Sequence, residues 1–526
     1  MAIHNSSIGV NTNQPNIQLS LSDRSITWLH SAGMAGLWMT LKQLEMRFPT
    51  VSQRPGQLHW NLSSHSIDLS WSGTDQDILD WLLRQSFQVN QEGLILLTGL
   101  GATLSIDAQI AIHQSITKTF LQHNKFYKSS GEKRLELKIG EKTISVRYKG
   151  LTSYAHRDFA QSLCDKQGQL LRQPISIAGW LYPGAVMSHA AFDKQTKFEV
   201  TLEEALVLLF APIACWYFML PTDQDHKQIR YVLIVPEVCD LAAYAEYDWQ
   251  IKNFSYENFW AASLGDAGFK FLSLQQTTKS ATNCCVRRCQ SLLFGKTKWT
   301  SQQMVRTKAE IVEATEETIC LYQLSYESFP KNSVRGHDEK FYIAVSEVRG
   351  KIADNLAKSL LWWFDLAKGS RTRVLSGEVS SEEEALLNMI EKAQWNNQPQ
   401  KLFIKACHEA LRRIYAKLYE QASEGEYARI ERRNIRIRSE VGRCKNAAAF
   451  RRFLSDFFAE AGQVPILQDH WEELLPITTG EIDWQLTRDL LLLALASYKR
   501  SETSKSTEDS KVKVLETPQT DQEATA

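Results

Sequence analysis

The sequence predicts an α+β protein. A large mixed α/β N-terminal body, residues 1–375, precedes an all-helical C-terminal bundle, residues 376–500, and a disordered acidic tail, residues 501–526. Three observations carry that prediction. Up to about residue 375, apolar patterns of period two and period 3.6 are mixed without a regular strand–helix–strand repeat, which favours α+β over a parallel sheet. From there to Arg500 only the helical period remains, as in a separate bundle. The tail has no aromatic residue and many Ser and Thr, too little apolar surface to offset the entropy of ordering it.

Residues 1–20 are polar and form a loose lead-in. Trp28 to Glu45 reads as a helix in which Gly33 and Gly36 let another element approach closely. Leu58, Trp60 and Leu62, then Ile67, Leu69 and Trp71, alternate as a hairpin. Leu135, Leu137 and Ile139, then Ile144, Val146 and Tyr148, form a second hairpin around Gly140 and Glu141. Tyr231–Val235 and Phe341–Val345 are further strands, and helices are expected at 76–88, 106–122, 201–210 and 350–368. In the last of these Ile352, Leu356, Leu360, Trp363 and Phe364 share one face and Gly369 is the stop. The bundle opens on Ser381 with Glu384 at capping-box spacing. Its helices are expected at 381–395, 398–421, 426–441, 446–460 and 484–499.

Composition narrows the class. Hydrophobic residues are 43% and charged residues 23%, which excludes collagen-like, wholly disordered and small disulfide-framework proteins. Nine cysteines, an odd number with Cys284 and Cys285 adjacent, point to a reducing cytoplasm. The first residues lack the basic and apolar regions of a signal peptide. The apolar run Ala205 to Leu220 is shorter than the ~20 residues a span needs and is divided by Pro212. It reads as a buried helix ending near Phe210 and a buried strand Ile213–Met219, so no membrane partner is expected.

Charge is the most informative feature. Sixty Lys and Arg balance sixty Asp and Glu, but they are segregated along the chain. Residues 284–308 carry Arg287, Arg288, Lys296, Lys298, Arg306 and Lys308 and no acid, for a net +6. Trp299, Gln302 and Gln303 are interleaved. Cations neutralise phosphates, Gln can read base edges and Trp can stack on a base, so the mixture suits nucleic acid. A surface loop feeding a helix, neutralised by Glu310, Glu313, Glu316 and Glu317, would explain the same charges. Residues 429–452 hold nine basic and two acidic residues, net +7. Arg429, Arg432, Arg433 and Arg436 share a helix face opposite Tyr427, Ile430, Ile437 and Val441, and Arg443, Arg451 and Arg452 follow. Like charges on one face repel, and a phosphate backbone would relieve them; a solvated face or a protein interface is the plainer explanation. Residues 118–149 form a third patch, net +6, whose hairpin could enter a groove.

Enzyme signatures are missing: there is no Walker A sequence, His-Glu-x-x-His, nucleophile elbow or dinucleotide fingerprint. Cys284, Cys285 and Cys289 lack a second ligand pair at metal-site spacing, and His337-Asp338 is an isolated dipeptide. No catalytic residue, metal or cofactor is expected.

Several stretches occur together in order: His30-Ser-Ala-Gly-Met-Ala-Gly-Leu37; Gly179-Trp-Leu-Tyr-Pro-Gly184 with His189; Leu208-Leu-Phe-Ala-Pro212; Val235-Pro-Glu-Val238 with Asp240; and Phe294-Gly-Lys-Thr-Lys-Trp299 with Gln302, Gln303 and Arg306. In these the chain resembles the large subunit of type I, I-B-like, CRISPR Cascade, the guide-RNA surveillance complex. The resemblance implies a non-catalytic cytoplasmic subunit that recognises the PAM, promotes duplex opening and stabilises the R-loop. It implies a C-terminal bundle similar to the Cascade small subunit. The implied partners are the guide CRISPR RNA, target double-stranded DNA, and the backbone, 5′-handle and small subunits. A helicase-nuclease for antiviral defence, or an adaptor for RNA-guided transposition, would act downstream. In similar I-B systems an internal translation start yields a separate small subunit; Met389, the only methionine after Met304, or a start near Val379, would serve here. Two other classes compete: a metal-dependent nucleic-acid enzyme using the cysteine cluster, and a protein scaffold without direct nucleic-acid contact.

Overall fold

The computed structural model describes residues 16–101, 104–177, 179–183, 199–221, 229–247, 254–276, 286–298, 304–337, 340–366, 379–395, 397–420, 428–479 and 481–498. The expected tail, 501–526, lies outside them. The architecture is mixed α/β with small antiparallel sheets and a helical C-terminal region. The chain divides into two compact units, Met1–Gln323 with Lys331–Leu360, and Leu324–Pro330 with Leu361–Ala526.

The first unit is organised around α1 (Trp28–Arg47), 14 of whose 20 residues are buried. It is apolar on nearly every side, as a helix at the centre of a core must be. Its glycines lie against α4 (Leu202–Ala214). A Cβ on Gly33 would stand 2.2 Å from the Val207 carbonyl oxygen, and one on Gly36 2.1 Å from that of Phe210. The two contacts advance together along both chains, so the helices run parallel with their backbones touching. Between them in sequence come α2 (Asp75–Ser86) and α3 (Ile106–Thr119).

β1 (Ile17–Ser20), β3 (Ser66–Ser70) and β2 (His59–Leu62) make one antiparallel sheet, so part of the expected lead-in is a strand. Short pairs join β4 (Phe87–Val89) to β5 (Ile95–Leu97), and β8 (Ile175–Ser176) to β9 (Glu199–Val200). The long hairpin of β6 (Tyr127–Ile139) and β7 (Lys142–Tyr154) turns at Gly140, whose φ of 59° favours glycine. Leu137, Ile139, Ile144 and Val146 bury its inner face.

The principal sheet has the order β10-β11-β12-β13, all antiparallel: β10 (Trp216–Leu220), β11 (Arg230–Pro236), β12 (Arg288–Lys298) and β13 (Met304–Glu313). The outer edge of β10 is closed by the Ala261 N–H, which donates to the Met219 carbonyl at 3.0 Å. Helices α5 (Leu241–Tyr247), α6 (Leu264–Gln276), α7 (Glu316–Ser328) and α8 (Glu347–Ala357), with the pair β14 (Ser333–His337) and β15 (Lys340–Ala344), complete this part of the chain.

Three expectations are corrected. The helix expected to stop near Phe210 runs to Ala214, and the strand begins at Trp216 rather than Ile213. Pro212 sits in the last turn, where only one ladder bond is lost. The helix expected over 350–368 stops at Ala357, because Ser359 turns left-handed (φ 55°) and the Leu360 N–H closes on the Asn355 carbonyl at 2.9 Å. Leu360, Trp363 and Phe364 therefore lie beyond it. The basic segment 284–308, weighed as a loop feeding a helix, contains strand β12 and the start of β13 instead.

An ion pair is buried between α6 and α8. Arg349 Nε lies 3.4 Å from Asp266 Oδ1, with both side chains at most 1% exposed. Burial alone would raise the Asp266 carboxyl. Arg349, the Ala262 N–H, Lys270 and Tyr322 outweigh burial and hold it below its usual value. Removing one partner of such a pair costs about 3–5 kcal/mol.

The helical unit comprises α9 (Val379–Lys392), α10 (Gln398–Glu420), α11 (Ala428–Arg443), α12 (Ala447–Ala461), α13 (Pro465–Asp469), α14 (Trp471–Thr479) and α15 (Trp484–Ser497). α10 is its centre, burying Phe403, Ile404, Cys407, Leu411 and Ile414 at helical spacing. Trp362 and Trp363 pack on Trp395 with ring centroids 5.7 and 6.5 Å away.

His156 is fully buried among Phe87, Phe120, Tyr154 and Trp180, and neither ring nitrogen has a hydrogen-bond partner among the described residues. Burial pushes its pKa down from 6.5 to about 3. Unfolding restores the ordinary value, so the unfolded chain takes up a proton that the folded chain refuses. This contribution to stability is whole above pH ~6.5 and declines as the pH falls toward 3. In His156→Phe that loss is abolished. The thermal midpoint of the variant relative to wild type should rise between about pH 7 and about pH 5; a difference that stays flat with pH would show that His156 is not held neutral.

Candidate nucleic-acid interface

The first basic segment is shaped by strand register. β11 follows β12 only as far as the pair Tyr231↔Phe294. Beyond it β12 and β13 continue alone to Lys298↔Met304, with an irregularity between Phe294 and Thr297 where Gly295 takes φ 131°. A two-stranded arm therefore extends past the sheet, and its strands carry Lys296, Lys298 and Arg306. Trp299, Gln302 and Gln303 lie outside the described residues. At the opposite end of β12, Arg287 and Arg288 are exposed. Arg288 is already engaged: Nε donates to Glu237 Oε2 at 2.8 Å, Nη2 to Oε1 at 2.6 Å, and the guanidinium stands 5.5 Å from the Trp28 ring. The hydrogen bond to Glu237 raises its pKa further.

Three of the motif segments, those with His30, Tyr182 and Val238, meet at the start of α1. His30 Nδ1 accepts from the Thr27 N–H at 3.2 Å, and the Tyr182 hydroxyl donates to Thr27 Oγ1 at 3.0 Å. The Val238 N–H reaches Ser31 Oγ at 3.4 Å, and Trp28 receives Arg288. His30 is buried, and desolvation lowers its pKa against the opposing field of Glu204. In these three segments the motif residues pack around α1. Gly184 and His189 lie outside the described residues.

In the helical unit α11 buries Ile437 and Val441. Its exposed side is Arg432, Ile435, Arg436, Ser439 and Arg443, with Ile435 60% exposed amid the cations. This stripe is rotated from the one expected. Arg433 is only 18% exposed; its Nη2 pairs with Glu460 Oε2, its Nε donates to Glu460 Oε1 at 3.1 Å, and its Nη1 lies 3.5 Å from Glu440 Oε2. Arg436 Nε donates to Glu440 Oε1 at 2.9 Å. Glu440 and Glu460 supply counter-charge from within, so part of the repulsion expected on this face is already relieved. Arg429 lies in the first turn of α11.

Five exposed cations remain without a carboxylate among the described residues: Arg432, Arg443, Lys445, Arg451 and Arg452. Arg451 donates only to the Thr479 carbonyl, at 3.3 Å. They line α11 and its corner with α12. Such an array can neutralise a polyanion. Glu460 was missed by sequence reasoning because its pairing crosses 27 positions; Glu440, at i+4 from Arg436, could have been read from spacing. Cys284 and Cys285 lie outside the described residues, while Cys289 is buried and its thiol pKa is pushed up by desolvation. Among the described residues, no group of three or more His, Cys, Asp or Glu is placed to hold a metal.

The sequence matches the DevT N-terminal domain family over residues 18–209 and the DevT C-terminal domain family over residues 391–525. The chain is also 27% identical over 513 residues to the CRISPR-associated protein Cas8a1/Csx13 of Myxococcus xanthus (strain DK1622), covering 91% of this chain and 85% of that relative. It is a homologue of a CRISPR-associated protein along most of its length.

The two kinds of arginine separate experimentally. Arg433→Gln strands Glu460 and leaves Glu440 to Arg436 alone, and should lower the stability of the helical unit by up to about 1 kcal/mol, whereas Arg432→Gln should stay within ~0.5 kcal/mol of wild type. Thermal melting followed by far-ultraviolet circular dichroism checks this; equal losses would contradict the pairing.

Proposed function

We propose that the chain is the non-catalytic large subunit of a CRISPR RNA-guided DNA-binding complex, a type I, I-B-like Cascade. The observation that carries this reading is the likeness, along 91% of the chain, to a CRISPR-associated protein. In this reading base pairing with the guide reads sequence, while the protein reads the PAM and holds strands by their backbones. The arm bearing Lys296, Lys298 and Arg306, with Trp299, Gln302 and Gln303 between its strands, contacts the target duplex or the guide. The cations of α11 and α12 follow the phosphates of a strand in the R-loop. The partners are the guide CRISPR RNA, target double-stranded DNA, and the backbone, 5′-handle and small subunits. A helicase-nuclease or a transposition adaptor is recruited afterwards. The site of action is the cytoplasm; among the described residues no helix is long and apolar enough to cross a membrane.

The fold also favours one internal start. Met389 is buried inside α9, so a chain beginning there would lose most of that helix, including buried Ala385 and Leu386. A start near Val379 keeps α9 whole. Intact-mass measurement of a purified complex should find any separate small subunit beginning near Val379; a fragment beginning at Met389 would contradict this.

The reading is tested by co-expressing the chain with the other subunits and a guide RNA and measuring binding to a library of flanking motifs. Binding that depends on the motif and on this subunit is expected; motif-independent binding would overturn it. Replacing Arg432, Arg443 and Arg452 by Gln should weaken DNA binding almost equally for all sequences. The slope of log affinity against log salt should flatten by about 0.7–0.9 per lost contact, and an unchanged slope would remove these residues from the interface.

A further inference from the structure

A polar cleft of about 600 Å³ lies in the first unit, remote in sequence from both segments discussed above. One wall is α2, with Gln76, Asp80 and Arg84. The root of the long hairpin supplies Lys128, Thr152 and Ser153, and the turn after β7 supplies Arg157, Asp158 and Gln161.

Its charges are unevenly satisfied. Arg84 Nε donates to Asp80 Oδ2 at 2.6 Å, and Arg84 Nη2 lies 3.9 Å from Asp158 Oδ1. Ser153 Oγ donates to Asp158 Oδ2 at 2.5 Å. Both carboxylates are thus held by groups within the cleft. Lys128 and Arg157, from two different elements, have no ion-pair partner among the described residues, and with Arg84 shared by Asp80 and Asp158 the lining carries a net +1. Neutral donors, the amides of Gln76 and Gln161 and the hydroxyl of Thr152, surround them. Lys125 and Lys149 stand at the same hairpin root, with their ammonium groups over the Phe126 and Tyr127 rings at 4.9 and 5.2 Å. Of the basic residues in 118–149, Lys128 lines the cleft itself.

We propose that this cleft is a phosphate site for a single nucleic-acid strand, taking one phosphodiester-linked nucleotide against Lys128 and Arg157. The volume falls within the ~300–1,000 Å³ typical of small-ligand sites, room for a nucleotide but not for a duplex about 20 Å wide. A hydrophobic ligand is disfavoured because almost every lining group is polar. A bare cation is disfavoured because the two carboxylates are already engaged. The proposal rests on the nucleic-acid reading above for the nature of its ligand, but it concerns different residues in a different unit.

The test uses the full-length chain and the double variant Lys128→Gln/Arg157→Gln, with Lys166→Gln as an exposed control outside the cleft. Binding of short single-stranded RNA and DNA, of the same sequence as a duplex, of AMP and of inorganic phosphate is measured across a salt series. For whichever single strand occupies the cleft, the double variant should flatten the salt slope by about 1.4, two contacts at about 0.7 each. The control and the duplex should be unaffected. An unchanged slope for both single strands overturns the proposal, as does a loss confined to AMP or inorganic phosphate, which would mark a free-nucleotide or adventitious-ion site. The helical-unit variant Arg432→Gln/Arg443→Gln/Arg452→Gln is run alongside. If it flattens the slope and the cleft variant does not, the cleft fails and the α11–α12 interface stands; the reverse leaves the cleft and removes that interface. Circular dichroism confirms folding, which these solvent-facing substitutions should preserve.

Discussion

The backbone contact between α1 and α4 is the constraint on which the first unit depends. Gly33 and Gly36 remove two side chains from α1, so the carbonyl edge of α4 sits where methyl groups would otherwise be. No rearrangement of flexible side chains could admit a Cβ there, since the atoms it would meet are main-chain oxygens. The consequence runs outward. With α4 held parallel to α1, its last turn delivers Trp216 to the buried strand β10, which sets β11 and through it β12. The arm bearing Lys296 and Lys298 projects from a sheet whose position is decided at a helix crossing more than eighty residues earlier in the chain.

Charge is handled in three ways. Asp266 and Arg349 are buried and surrounded by hydrogen-bond partners, so they fix geometry and present nothing to solvent. Arg288 and Arg433 are paired with carboxylates from other segments, and Arg436 with Glu440 of its own helix. Arg432, Arg443, Lys445, Arg452, Lys128 and Arg157 have no carboxylate partner among the described residues. Only this last class offers a polyanion more than exchange of one counterion for another. Runs of basic residues in the sequence mix the paired and unpaired classes, which is why a charge count overstates an interface and a structure divides it.

Much was legible in advance. The division into an α+β part and a helical part followed from hydrophobic period, because a face that must be buried imposes its repeat on the sequence whatever it packs against. The hairpin at Gly140 and the five longest helices of the C-terminal region were visible for the same reason. The strands β12 and β13 were not. Their residues include Arg288, Lys296, Lys298, Arg306 and Lys308, a composition that reads as loop, and they become strands because β11 offers a ladder to pair with. The overextended helix at 350–368 failed differently: its apolar spacing persists past Ala357, but Ser359 adopts a left-handed backbone that no periodicity reports.

The sequence by itself determined which segments are apolar, where the charges cluster, and that two glycines three apart would meet something large. Those properties are local, set by residues within a turn or two of each other. Only the tertiary structure decided that Glu460 takes Arg433, that Glu237 takes Arg288, and that Lys128 and Arg157 share a cleft with Gln76. Hydrogen bonds need contact at about 3 Å and ion pairs weaken with distance through space, not along the chain. Partners separated by 27, 51 or more positions are therefore assigned by folding alone.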